Sequence, residues 1–387
     1  MISTRPQPAN QVRWMENALL HSVNAPGVAL EDGARQYRGH TLCDFARDCL
    51  EANGVNTRGM SRGEIARSAL TRDYSGSSRA LTTPDFPNLL ANTASKMLRN
   101  AYDFAPRTFL PWTRQSNPPN FKSFKTVALS SAPQLAVVPE SGEVSYGTIG
   151  ESAETWNLLR YGKAISISYV AIVNDDMDGF TRIPMMFGAE AAQLESAVVY
   201  AILTANAALA DTGLLFNANA TTAAGGHDNL ISGGSSALVN GDAGIAAVGA
   251  LQTKMRLQKA PTVAGQAGRP LNLSGRYLIL PGSLEHVANA LFSQQVVPAT
   301  TSQANPYRGV YTPIVEPVLD AASTTAFYLS ADPNRVDTIH WGYLDGEDGP
   351  VVTSNVDFKT DGVAIKCMHN FGAKAIDFRG LGKSAGA

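Results

Sequence analysis

Charge is scarce in this chain. Of its 387 residues only 17% are Asp, Glu, Lys or Arg, and the formal net charge is −2. Without a basic excess it lacks what neutralises a phosphate backbone, so tight nucleic-acid binding is disfavoured. Cysteine is equally sparse. Cys43, Cys49 and Cys367 are odd in number, and their spacing matches no zinc pattern. Buried small hydrophobes are expected of them, not a disulfide framework. No apolar stretch is long enough to span a bilayer, and no apolar run follows a basic start. The expectation is a soluble protein made in a cytosol, with no export signal of its own. Lysine is missing from the whole N-terminal stretch: the first is Lys96. The arginines used in its place suit bidentate ion pairs across interfaces, and a GC-rich genome would produce the same bias.

Catalytic patterns are missing too. There is no H-E-x-x-H and no C-x-x-C. Gly382-Lys383-Ser384 looks like the end of a phosphate loop, but Asp377 occupies the position that requires the upstream glycine. Asp175 and Asp176 are adjacent acids, and neighbours rarely converge on one reacting atom, so turn formation and helix capping explain them better. Six histidines, His21, His40, His227, His286, His340 and His369, are scattered. His227 has Asp228 beside it in sequence, and that pair sits in a Gly-rich loop without a nucleophile. His340 and His369 fall in expected strands. Trp14, Trp112, Trp156 and Trp341 lack basic interleaving and read as core or interface anchors. No enzyme, cofactor or metal site is expected.

What the chain does have is 44% apolar residues and abundant Ala, Gly, Ser and Thr, enough to bury a sizeable core in about two to three domains. Residues 41–52 carry an apolar face and end at the helix-stopping Asn53-Gly54. Ser61-x-x-Glu64 is a capping box that opens a helix to about Leu70. Residues 85–103 read as a helix with Pro87 in its first turn and Leu90, Ala94, Met97 and Ala101 on one face. Strands are expected at residues 121–128 and 155–170. Between them lies a Gly-, Ser-, Pro- and Glu-rich excursion too long for a tight turn, which needs a partner surface for stability. The strongest helix is expected at residues 183–206. Pro184 opens it, and Phe187, Ala191, Leu194, Val198, Ala201 and Ala205 form its stripe. Residues 213–242 read as loop, 243–257 as helix and 277–280 as strand. A helix capped by Ser283 follows, then strands at 311–319 and 326–329.

Three blocks carry a resemblance. FYLSADPNRVDTIHWGYLDGEDGPVVTSN leading into DGVAIKCMHNFGAKAIDFRG resembles the C-terminal region of tailed-phage major capsid proteins of the Mu-like prophage major head subunit family, including those fused to a prohead protease. DFPNLLANTASKMLRNAYDFAPRTF resembles the family's opening helix, and YGKAISISYVAIVNDDMDGF resembles the segment leading into its long helix. The blocks stand in the family's order between Asp85 and Gly380. A fused protease would need its own domain upstream, where the blocks leave no room.

The resemblance implies an α+β, Hong Kong 97-type phage capsid fold. It implies an N-terminal arm and opening helix (1–112) and an extended loop (113–165). A peripheral domain with the spine helix (166–212), an axial domain (213–325) and a terminal sheet of the peripheral domain (326–387) complete it. Glu140, Glu143, Tyr146 and Glu151 are expected in the loop that lies over an adjacent subunit, and Phe187, Leu194 and Val198 in the core beneath the spine helix. The implied partner is the chain itself, as hexamers and pentamers of a virion shell assembled in the bacterial host cytoplasm. Portal, scaffold or prohead protease, a decoration protein and diffusely held double-stranded DNA follow as further partners, and no membrane. Covalent cross-linking through Lys122 or Lys125 is not expected. An encapsulin-like compartment is the alternative within the same fold.

Overall fold

The computed structural model describes residues 8–22, 28–70, 86–129, 151–167, 174, 177–221, 223–234, 236–260, 268–293, 305–357 and 362–386. In chain order its helices are α1 (Pro8–Ser22), α2 (Leu42–Ala52), α3 (Arg62–Leu70), α4 (Phe86–Phe104), α5 (Met177–Ala205), α6 (Asp242–Leu257) and α7 (Glu285–Ser293). Its strands are β1 (Arg114–Gln115), β2 (Phe124–Leu129), β3 (Glu151–Trp156), β4 (Leu159–Ile167), β5 (Leu230–Ile231) and β6 (Gly275–Leu280). They continue with β7 (Thr312–Val315), β8 (Phe327–Ala331), β9 (Ile339–Tyr343), β10 (Val351–Asp357), β11 (Gly362–Ala375) and β12 (Leu381–Ser384). The chain forms two compact units. One holds residues 1–106, 160–194 and 347–370; the other holds 107–159, 195–346 and 371–387.

In the first unit the N-terminal helices form as their caps dictate. Thr41 and Asp44 make a reciprocal capping box on α2, with each side chain bonded to the other's backbone N–H at 3.2 and 3.1 Å. Ser61 and Glu64 do the same for α3. The resemblance implies an extended arm here. The described residues instead form a helical bundle with its own core, in which Met15, Leu19, Phe45, Leu50 and Ile65 pack with Phe86 and Leu90 of α4 and Ile365 of β11. Enough apolar residues recur at helical spacing for the segment to bury itself locally, which an extended arm could not do. The first part of α5 runs along α4. At the crossing a side chain on Gly188 would place its Cβ 2.3 Å from the Leu98 carbonyl oxygen. β10 pairs antiparallel with β11 from Val351↔Met368 to Asp357↔Gly362, and β4 also pairs with β11.

Pro184 does not open the long helix. It lies inside α5, a 29-residue helix of about 43 Å, and its missing N–H leaves one carbonyl of the preceding turn without a helical donor.

The second unit holds a mixed sheet ordered β5-β12-β8-β6-β7. Helices α6 and α7 supply Val248, Leu251, Met255, Leu291 and Phe292 to a core with Leu278, Leu280, Phe327 and Leu329 of the sheet. β8 and β12 were expected in a separate terminal sheet; they pair instead with β6 and β5 and complete this one. Every residue of β8 is buried, as a central strand requires. Its place in the sheet is a matter of pairing, which local pattern does not encode. Elsewhere in the unit β1 pairs parallel with β9, and β9 antiparallel with the end of β11. Phe109, Trp341, Tyr343 and Phe371 form an aromatic core there, with Phe109 edge-on to Trp341 at 5.4 Å.

Candidate functional site

The excursion expected to act between subunits is closed by the β2–β3 hairpin, paired from Phe124↔Trp156 to Leu129↔Glu151. At its base the Phe124 and Trp156 rings meet at 4.4 Å, and the Trp156 indole N–H donates to Thr126 Oγ1 at 3.0 Å. Glu154 is buried and accepts from the Ala210 backbone N–H at 2.7 Å. Trp156 also packs with Leu158 and Ile376. These contacts anchor the base of the hairpin, whose two strands form a sheet of their own among the described residues. Glu140, Glu143 and Tyr146 lie outside the described residues. Glu151 is the first residue of β3. Lys122 and Lys125 are exposed at the approach.

On α5 the buried positions are offset by about one residue from the apolar stripe. Phe187, Leu194 and Val198 are half-buried, and Ala201 and Ala205 are exposed. Within the first unit the helix buries Pro184, Gly188, Ala191 and Ala192; within the second it buries Glu195, Ser196, Val199, Tyr200 and Leu203. Hydropathy spacing misses this face because small and polar residues make up half of it. Glu195 is held there by the Tyr343 hydroxyl, which donates at 3.1 Å, and faces Arg107 at 3.9 Å. The Tyr200 ring lies tilted against Trp112 with centroids 5.8 Å apart, and its hydroxyl shares a 2.8 Å hydrogen bond with Thr108, whose hydroxyl also donates to buried Glu316. Burial holds the Tyr200 hydroxyl well above the usual phenol range, so it stays a neutral bridge.

His227 pairs with Asp211 at 2.8 Å, not with Asp228, whose carboxylate holds Lys254. Its other ring nitrogen lies 3.2 Å from the Leu215 carbonyl oxygen, and the Phe378 ring stacks on it at 3.6 Å. The ring is wholly buried, both nitrogens face oxygens and a phenyl covers the plane. That suits a structural staple. The loop around it is held the same way by amides: Asn217 Oδ1 accepts from the His227 N–H at 2.9 Å, Asn229 donates to the Leu215 carbonyl at 2.8 Å, and Gln258 donates to the His227 carbonyl at 2.7 Å. The sequence showed this stretch, residues 213–242, only as loop.

Gly382, Lys383 and Ser384 lie in β12, where Gly382 packs on Leu251 of α6. The Lys383 ammonium sits over the Phe216 and Tyr328 rings at 5.8 and 5.5 Å, and burial lowers its pKa. The phosphate-loop likeness is therefore a strand, not a cradle. The three cysteines are buried and form no disulfide, and burial pushes the Cys367 thiol up to about 11. His340 and His369 are buried in β9 and β11, and Asp175 and Asp176 lie outside the described residues. Among the described residues no group of three or more His, Cys, Asp or Glu could hold a metal ion, and no helix is long and apolar enough to cross a membrane.

The sequence matches the model of the phage capsid protein family over residues 152–384. No curated protein matches it. Among solved structures, the capsid of the cyanophage P-SCSP1u aligns with a TM-score of 0.51 at 10% identity, over 86% of this chain and 96% of that one. The virus-like particle from Pyrococcus furiosus aligns at 0.44 with 11% identity, over 76% of this chain and 97% of that one. The capsid of the myovirus XM1 aligns at 0.46 with 13% identity, over 73% and 93%. The cyanophage alignment carries the fold, an α+β capsid subunit; the two looser ones carry no argument.

Proposed function

Because this chain belongs to the phage capsid protein family, we propose that it is the major head protein of a tailed bacteriophage and that its copies close into an icosahedral shell around double-stranded DNA. Its role is structural. The observation that carries this reading is the family match, which runs through the long helix, the mixed sheet and the C-terminal strands. The subunit has the Hong Kong 97-type fold, and hexamers and pentamers are the units it forms. Apolar side chains left in water on the isolated chain support association: Phe104 is 84% and Met186 69% exposed.

The excursion between β2 and β3 acts between copies. From Ser130 to Glu151 it carries Glu140, Glu143 and Glu151 and no Lys or Arg, so it offers one sign of charge to a neighbour. Portal, scaffold, prohead protease and a decoration protein are partners that a head of the Mu-like type would engage during assembly in the bacterial cytoplasm. DNA contact is diffuse, as the net charge of −2 demands. Electron microscopy of the purified protein tests the reading. Shells or rings are the expected particles, and uniform monomers or small oligomers under all assembly conditions would overturn it.

A further inference from the structure

We propose that Asn240 is a site of spontaneous deamidation in the folded protein, and that the structure protects the chain's other Asn-Gly pair. The sequence holds two such pairs, Asn53-Gly54 and Asn240-Gly241. Asn followed by Gly is the pair most open to self-modification, because no side chain hinders the following backbone nitrogen. That nitrogen attacks Asn240 Cγ, the C–N bond forms and ammonia leaves, giving a cyclic imide. Water then opens the imide at either carbonyl, leaving aspartate or isoaspartate. The reaction needs no enzyme and no co-reactant beyond water. It does need the carboxamide and the next N–H free to approach each other.

The two sites differ on both counts. At the end of α2 the Asn53 carboxamide donates to the Cys49 carbonyl at 2.9 Å, and the Gly54 N–H donates to the Glu51 carbonyl at 3.0 Å. Nucleophile and electrophile are each tied into the helix terminus. Before α6 the Asn240 side chain is exposed and has no partner among the described residues, and the Gly241 N–H has none either. Gly241 sits at φ 102°, ψ −163° and caps α6 without a side-chain bond. The Gly241 carbonyl alone is engaged, accepting from the Ile245 N–H at 3.3 Å.

The product would place a carboxylate one residue before the N-terminal turn of α6. There aspartate suits the helix dipole, whereas isoaspartate lengthens the backbone by a methylene. Assembly would multiply either change over every copy in the shell.

Peptide mass spectrometry of the full chain, incubated folded at neutral pH and 37 °C and sampled over weeks, tests this. The expected result is amide-to-acid conversion at Asn240 at least about tenfold faster than at Asn53. In urea, where both turns are lost, the two rates should converge. Asn240→Gln should abolish the signal at this site while leaving that at Asn53 unchanged. Equal rates in the folded chain, faster loss at Asn53, or an intact Asn240 when the urea sample converts would each overturn the proposal.

Discussion

Glu16 of α1 and Lys96 of α4 are joined by an ion pair across eighty residues of sequence. The Glu16 carboxylate is nearly buried and also accepts from the Asn92 carboxamide at 2.8 Å. It therefore clasps α1 to α4 within the first unit. Glu16→Ala leaves Asn92 and a half-exposed Lys96 without their acceptor. Charged hydrogen bonds of this kind contribute about 1–3 kcal/mol, discounted here for the water around Lys96. Chemical denaturation of the subunit should show a loss in that range, and a loss confined to α1–α3 in proteolysis; an unchanged midpoint would remove the clasp.

Gly188 marks the closest approach of α5 to α4. In an exposed helix Gly→Ala would gain about 1 kcal/mol in propensity. Here the added Cβ meets backbone, 2.3 Å from the Leu98 carbonyl oxygen and 3.0 Å from the Tyr102 nitrogen, and backbone cannot swing aside as a side chain can. Gly188→Ala should destabilise the subunit by about 1–3 kcal/mol net. A stabilised variant would mean the two helices do not cross there.

The offset on α5 separates two faces of one helix. Leu203→Asp puts a carboxylate at a wholly buried position, at a cost of several kcal/mol, and should leave no folded subunit. Ala201 is exposed, so Ala201→Asp should change the melting midpoint by no more than about 0.5 kcal/mol equivalent. Equal damage at both positions would contradict the register.

His340 is buried on β9 between Arg114 of β1 and Lys374 of β11, with Asp337 3.8 Å away. Neither ring nitrogen has a hydrogen-bond partner among the described residues. Burial, reinforced by the Arg114 charge and opposed by Asp337, lowers its pKa below the ordinary 6.5. The unfolded chain then binds the proton first as pH falls, so this contribution is complete above 6.5 and is lost from there down toward the folded value. Denaturation midpoints should fall on acidification through that window, and His340→Gln should flatten this part of the profile. A profile identical in both proteins would exclude His340 as its source.

Replacing residues 130–150 with a short Gly-Ser turn separates folding from assembly. The hairpin base keeps the Trp156, Phe124 and Glu154 contacts, so the subunit should melt as the parent does. Loss of even about 1–2 kcal/mol per copy, repeated over a closed shell, should prevent particles. Normal shells would make the excursion dispensable, and a large fall in melting would make it part of the subunit's own core.

Local sequence determined most of the elements here. The Thr41 and Ser61 caps, the Asn53-Gly54 stop and the spacing of Leu90, Ala94 and Met97 depend on residues three or four apart, whose interactions form within one helix. The failure of the phosphate-loop likeness was equally local, since Asp377 breaks its spacing. Tertiary structure decided what distance decides. Whether β8 and β12 stand apart or complete the sheet with β6 depends on hydrogen bonds between residues tens of positions apart, which an alternating pattern does not encode. His227 chose Asp211 over its neighbour Asp228 because side chains adjacent in sequence point apart, while a folded loop brings distant ones together. The buried face of α5 was displaced from its apolar stripe because close packing rewards the small surface of Gly188 and Ala192 where helices touch. A buried Glu195 can then be accommodated by Tyr343, a partner 148 residues away.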